Sequence, residues 1–342
     1  MEWVLTTGGA CGDYGAVSAL AIDLHDVAKT YAGGVAALRT VAMQVGEGEI
    51  FGLLGPNGAG KSTLVKILLT IVQATRVSGT LLGRPIGHRP TLGRVGYLPE
   101  ACRFPDYLTG AQVLEYVGGL HRVPRQVRRE RASELLGMVG LAGWEGRRLG
   151  IYSKGMKQRL GLAQALINDP SIVFLDEPTD GLDPVGRRDV ADILRELRRR
   201  GITVFLNSHL LGEAERLCDR VAILARGEVV RHGRIEELTH EGVGYEVRVD
   251  GVIPATADAL QRLLTAMNGQ ADFDPVEACT RLTVPGGQAQ LIQPLIDELR
   301  RAGLVIVAIV PRRQTLEEFF MGVVGAAAGQ TGAGGGGGLG GN

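Results

Sequence analysis

Between Gly52 and Thr63 the chain reads GLLGPNGAGKST. Gly55, four residues, then Gly60, Lys61 and Ser62 make a GxxxxGK[ST] spacing, set after an apolar strand-like run and before a helical one. Glycines so placed let the backbone turn tightly, so that successive N–H groups point inward around phosphate oxygens. Gly55, Pro56, Asn57, Gly58, Ala59, Gly60, Lys61, Ser62 and Thr63 are therefore candidate contacts for the phosphates of ATP. In such a loop the lysine reaches the β- and γ-phosphates, and the Ser62 hydroxyl ligates Mg²⁺.

The chemistry needs an acidic partner at the end of a second buried strand. The run SIVFLDEP (171–178) supplies Asp176 for Mg²⁺ and, next to it, Glu177 for the attacking water. Neighbouring residues at a strand end point different ways, so the two carboxylates can divide the work. A third feature, GIYSKGMKQRLGLAQAL (150–166), sets Ser153 and Gly155 at the start of an amphipathic run, with Lys154, Lys157 and Arg159 close by. A helix that begins there aims free N–H groups and its positive end outward, toward an anion.

These groups need a frame. ALAIDLHDV, EIFGLLG, SIVFLDE, ITVFLNS and RVAILA are short, apolar and β-branched, as buried strands are. Helical patterns cover 61–71, 109–120, 124–139, 154–167, 185–200 and 210–217. Alternation of this kind implies an α/β layer domain with a mostly parallel sheet. The stretch 104–165 has helices and no strong strand, so it reads as an inserted helical subdomain. After residue 240 the pattern becomes strand (245–251), helix (255–267), weak strand (271–276), strand (281–285), helix (288–302), strand (304–310) and a last helix from Leu316. That βαββαβ order implies a small ferredoxin-like α+β domain.

Lys+Arg and Asp+Glu balance at 37 each, which gives no basic field for nucleic acid. Cys11, Cys102, Cys218 and Cys279 are scattered, with no CxxC pair to hold zinc. No run approaches the ~18 apolar residues of a membrane span, and the first residues lack a signal-peptide pattern. Residues 1–20 and the Gly-rich 326–342 are expected to be disordered extensions on the α/β domain (21–240) and a C-terminal accessory α+β domain (241–325).

GPNGAGKST, YSKGMKQRL, FLDEPTDGLDP and NSHLLGEAERLCDRVAIL occur in the order and spacing of an ABC transporter ATPase subunit, over residues 20 to 240. With GYLPE and a C-terminal LEEFF, the chain resembles the ATPase subunits of ABC-2 type exporters, the drug-resistance and sodium-extrusion group. The resemblance implies a P-loop NTPase core and a head-to-tail dimer, homomeric or heteromeric, with two ATPs between the subunits. Ser153 and Gly155 would then contact the γ-phosphate held by the partner's loop. Tyr31 would stack on adenine, and Glu100 would sense Mg²⁺ and the γ-phosphate. Asp183 would sit at the dimer interface, His209 would touch the γ-phosphate, and Glu177, His209 and Lys61 would be catalytic. Three positions depart from the usual pattern: Lys154 replaces a glycine, Met156 a glutamine, and Glu100 a glutamine.

The function expected is Mg²⁺-dependent ATP hydrolysis on the cytoplasmic face of the membrane. It would drive a separate transmembrane permease for export, with no nucleic-acid partner. The competing readings are an importer ATPase, whose C-terminal barrel the helical content after 250 argues against, and a soluble ABC ATPase acting on nucleic acid or the ribosome.

Overall fold

A computed structural model describes residues 19–329, apart from 241–243, 255–256, 287–288 and 313. The expected disordered extensions fall almost entirely outside the described residues; Leu20 already belongs to a strand, and the last helix runs to Gly329. The chain forms two compact units, one through His209 with Arg226–Val229, the other Leu210–Ala225 with the residues from Val230 onward.

In the first unit, β1 (Leu20–Thr30) and β2 (Ala36–Gly46) form a long antiparallel pair with Ile22 opposite Val45 and Val27 opposite Val41. A short turn at 31–35 joins them, closed by the Tyr31 N–H to the Val35 carbonyl at 2.9 Å, and so short a link permits only antiparallel pairing. On the other side of β1 lies β4 (Arg76–Leu81), followed by the short β5 (Arg84–Pro85).

The parallel layer contains β3 (Ile50–Leu54), β6 (Val95–Leu98), β7 (Ile172–Asp176) and β8 (Thr203–Ser208), in the order β3-β8-β7-β6. Every residue of β3, β7 and β8 is buried, as strands covered on both faces must be. Phe205 packs between Phe51 and Phe174, with ring centroids 5.7 and 5.1 Å away. The expectation of a mostly parallel sheet thus holds for this layer, while β1, β2, β4 and β5 are antiparallel. Helices α1 (Lys61–Leu68) and α5 (Pro184–Arg199) belong to the same unit.

Helices α2 (Gly110–Leu120), α3 (Arg125–Met138) and α4 (Lys154–Leu166) form the helical subdomain expected from the sequence. A capping box starts α2: Thr109 Oγ1 accepts from the Gln112 N–H, and Gln112 Oε1 accepts from the Thr109 N–H at 2.9 Å. From this subdomain, α4 touches β6 almost backbone to backbone. A Cβ on Gly96 would lie 2.0 Å from the Ala165 carbonyl oxygen, so only glycine fits there. The end of β6, which leads to Glu100, is thereby tied to the helix that begins after Ser153.

The second unit contains α6 (Leu211–Leu217), β9 (Arg220–Ala225), most of β10 (Glu228–Arg234) and α7 (Ile235–His240). Then come β11 (Gly244–Asp250), α8 (Asp258–Ala266), β12 (Gln270–Asp274), β13 (Cys279–Pro285), α9 (Ala289–Arg301) and β14 (Ile306–Arg312). The sheet order β12-β13-β11-β14, all antiparallel, gives the βαββαβ element order expected from the sequence a ferredoxin-like arrangement, and the strand order itself comes from the structure. Val247, Val249, Leu282 and Val284 of the sheet pack on Leu260 and Leu264 of α8 and on Ile292, Leu295 and Leu299 of α9. The last helix, α10 (Leu316–Gly329), lies against α6, α7 and β9.

Candidate active site

The loop from β3 to α1 is built on left-handed glycines. Gly58 has φ +79° and Gly60, which precedes the first helical residue, has φ +109°. A side chain at Gly60 would strain the turn, and no side chain caps α1. The N–H groups of Lys61, Ser62 and Thr63 have no carbonyl partner within the helix, so they form an anion-binding end. Lys61 is buried, and its Nζ donates to the carbonyls of Gly55 at 2.7 Å and Pro56 at 3.3 Å. Burial holds its pKa below the ordinary lysine value, against the pull of Glu177, Asp176 and Glu100.

Asp176 and Glu177 stand at the C-terminal end of β7, both buried. Burial pushes the Asp176 carboxyl up, and the neighbouring charges of Glu100 and Glu177 add to this, while a hydrogen bond from Asn207 and the charge of Lys66 oppose it. Glu177 adopts φ +50°, a left-handed conformation that L-residues with side chains rarely take, and such strain gathers at functional sites. Its N–H is held by the Asn207 carbonyl at 2.9 Å. Its carboxylate meets His209 Nδ1 at 2.8 Å.

These groups surround one cleft of about 300 Å³, whose lining includes Gly58, Gly60, Lys61, Ser62, Thr63, Glu100, Asp176, Glu177 and His209. Ser62 offers a hydroxyl and Asp176 and Glu100 offer carboxylates, the hard oxygen donors Mg²⁺ prefers. Among the described residues, no cluster of three or more His, Cys, Asp or Glu forms a metal cage. A metal held here would take its remaining ligands from water and phosphate, the usual pattern for Mg²⁺. Tyr31 sits at the margin, its hydroxyl 3.5 Å from Thr63 Oγ1 and its ring under Lys29 Nζ, 4.9 Å from the centroid.

Ser153, Gly155 and Asp183 are not among the residues lining this cleft. Ser153 caps α4, its Oγ accepting from the Met156 N–H at 3.2 Å. Asp183 caps α5, its Oδ1 accepting from the Gly186 N–H at 2.7 Å. Lys154 lies over Gly181 and reaches within 3.9 Å of Asp180, which does line the cleft.

Sequence reasoning passed over Asn207. It is 1% exposed, its Nδ2 donates to Asp176 Oδ1, and its own Oδ1 is buried with no hydrogen-bond partner among the described residues. The available signal was a polar residue inside the apolar run ITVFLNS.

The comparisons agree with this geometry. A family model described as ABC transporter matches residues 38–180. An uncharacterised ABC transporter ATP-binding protein of Synechocystis is 40% identical over 326 residues, 93% of this chain and 88% of its own length. A daunorubicin resistance ATP-binding protein of Streptomyces coeruleorubidus is 34% identical over 89% of this chain and 96% of its own. A Nod factor export ATP-binding protein of Rhizobium etli is 40% identical over 66% of this chain and 72% of its own. Among solved structures, an ATP-binding subunit of an ABC transporter is 27% identical with TM-score 0.58, covering 64% of this chain and 92% of that one. A dimeric ATP-binding cassette in a post-hydrolysis state with ADP and phosphate is 28% identical with TM-score 0.55, covering 63% and 98%. A relative matched over nearly its whole length, and a phosphate loop facing two carboxylates across one cleft, lead to the same conclusion: the chain belongs to the ATP-binding subunits of ABC transporters.

Proposed function

We propose that this chain hydrolyses ATP with Mg²⁺ as one half of a head-to-tail ATPase dimer that drives a separate membrane permease, in the direction of export. The observation that carries the reading is the cleft itself, where Lys61, Ser62, Asp176, Glu177 and His209 converge. Bound Mg²⁺ would neutralise charge on the β- and γ-phosphate oxygens. The chain's own groups do the rest: the loop N–H groups and Lys61 hold the phosphates, Tyr31 supports the base, and Ser62, Asp176 and Glu100 hold the metal. Glu177 orients the water and accepts its proton, and His209 holds the Glu177 carboxylate.

Ser153 and Gly155 begin α4 and do not line the cleft, which supports their action on a partner's nucleotide, with Asp183 at the same interface. ATP binding would close the dimer and hydrolysis would reopen it, because the two nucleotide states differ in affinity for the closed form. A groove of about 420 Å³ lined by Tyr97, Pro99, Cys102, Arg103, Phe104 and His121, together with the exposed Tyr107, Tyr116 and Leu120 of the helical subdomain, supports docking of the permease there. No helix among the described residues is long and apolar enough to cross a membrane. A peripheral position on the cytoplasmic face fits that division of labour. Export is supported by the Nod factor export and daunorubicin resistance relatives.

The test is turnover by the purified chain with ATP and Mg²⁺, compared with Lys61→Ala. Loss of nucleotide binding or turnover in the variant is expected, and normal turnover would overturn the reading.

A further inference from the structure

Asp176 and Glu177 are adjacent in sequence yet are given different tasks, so something must hold them apart. The tripeptide at the end of β8 does this. His209 meets Glu177, while Asn207 lies in register with Asp176 across the β7–β8 pairing. Asn207 Nδ2 donates to Asp176 Oδ1, and its main-chain carbonyl accepts the Glu177 N–H at 2.9 Å. Its side chain is 1% exposed, and its Oδ1 has no hydrogen-bond partner among the described residues. The amide must lie this way round, because the reverse would set a carbonyl oxygen against a carboxylate. A fully buried parallel strand such as β8 normally carries apolar side chains at such a position. A buried amide in register with a carboxylate breaks that rule, and such departures concentrate at functional sites.

We propose that Asn207 is the positioning residue of the metal-binding carboxylate. Its Nδ2–H fixes one oxygen of Asp176, which leaves the other to face the cleft shared with Ser62. The inference rests on reading that cleft as a Mg²⁺–ATP site. It adds that metal affinity, and not nucleotide affinity, depends on Asn207. Partners that orient a metal ligand from behind typically matter by about 10–100-fold in metal affinity. Substitution of the side chain leaves the main-chain carbonyl in place, so the hold on Glu177 survives and the two effects separate.

The experiment uses the full chain with Asn207→Leu, which replaces the amide by an apolar side chain of similar size, and Asn207→Ala, which removes it without adding bulk. Mn²⁺ binding is followed by electron paramagnetic resonance in the presence of a non-hydrolysable ATP analogue. Binding of the same analogue in EDTA and the thermal transition are measured alongside. Mn²⁺ affinity should fall about 10–100-fold in both variants, while analogue binding in EDTA stays within about threefold of wild type. The apparent Mg²⁺ constant for turnover should rise with it, with the KM for ATP at saturating metal little changed. Mn²⁺ affinity equal to wild type in either variant overturns the proposal. So does a matching loss of analogue binding in EDTA, or of the folding transition, because Asn207 would then be structural alone. Failure of the wild-type chain itself to bind Mn²⁺ with the analogue would instead reject the Mg²⁺–ATP reading.

Discussion

His209 holds Glu177 twice: its ring Nδ1 lies 2.8 Å from Glu177 Oε2, and its main-chain N–H points at the same oxygen from 3.4 Å. With the Glu177 backbone at φ +50° and its N–H tied to Asn207, the carboxylate has little freedom left. A carboxylate so fixed is ready to act as the proposed base without first being ordered.

Replacing Glu177 by glutamine keeps the shape and removes the proposed base. Turnover should fall by about 10²–10⁴-fold, while ATP binding survives through Lys61 and the loop. Size-exclusion chromatography with ATP and Mg²⁺ should then show an accumulated dimer. Wild-type turnover in this variant would remove Glu177 from the mechanism, and lost ATP binding would mean that its role and that of Asp176 are exchanged.

Ser153 and Gly155 are expected to serve the partner's nucleotide. Mixing a Ser153→Arg subunit with a Lys61→Ala subunit should restore part of the activity, because one composite site in the heterodimer keeps both intact halves. Crosslinks from Ser153 to the phosphate loop of its own chain, and not to the partner's, would contradict this.

Asp176 should trade stability for function. Burial first, then Glu100 and Glu177, raise its folded pKa above the ordinary carboxylate value. The folded chain therefore binds that proton more tightly than the unfolded chain does. This favours folding below the ordinary carboxylate range, and the advantage is lost as pH climbs through the raised value. At neutral pH the metal-free fold carries a penalised charge. Asp176→Asn should accordingly raise the metal-free Tm at pH 7, with the gain shrinking as both proteins are brought to pH 4. An unchanged or lower Tm at pH 7 would show that the Asn207 hydrogen bond and Lys66 outweigh burial.

The C-terminal helix should matter for the fold well beyond its own residues. Leu316 is fully buried, its N–H donates to Glu215 Oε2 on α6 at 3.1 Å, and α10 covers α6, α7 and β9. Leu316→Ala should cost about 2–5 kcal/mol, read by chemical denaturation. A chain truncated near Glu241 should still bind nucleotide, since the candidate site ends at His209, but with a lower Tm because α6 and β9 lose their cover. Equal Tm for the truncated and full chains would show that α10 contributes nothing to this packing.

Gly96→Ala tests the link between sheet and subdomain. Its Cβ would fall 2.0 Å from the Ala165 carbonyl oxygen, so β6 and α4 must separate. Overpacking of this kind typically costs about 1–3 kcal/mol. A thermal transition equal to wild type would mean that the two elements adjust freely.

Much of this protein is local in origin, and that part was legible in its residues. The GxxxxGK[ST] spacing, the apolar run ending in Asp176 and Glu177, and the Ser153 cap before α4 each need only neighbours along the chain. So did the βαββαβ order of the C-terminal residues, because strand and helix periodicities are written in consecutive side chains. What the tertiary structure decided are relations between distant segments. The antiparallel β2 escaped notice because polar and small residues interrupt its alternation, and its pairing with β1 supplies the missing order. Asn207 looks like an ordinary polar strand end until register sets it opposite Asp176. Lys154 looks like a solvated cation until α4 brings it over Gly181 beside Asp180. Residues 210–225 read as part of the ATPase domain, yet they form one compact unit with the C-terminal residues because α10 returns to bury α6 and β9. Pairing register and helix docking depend on which surfaces bury each other best, and no window along the chain contains both surfaces.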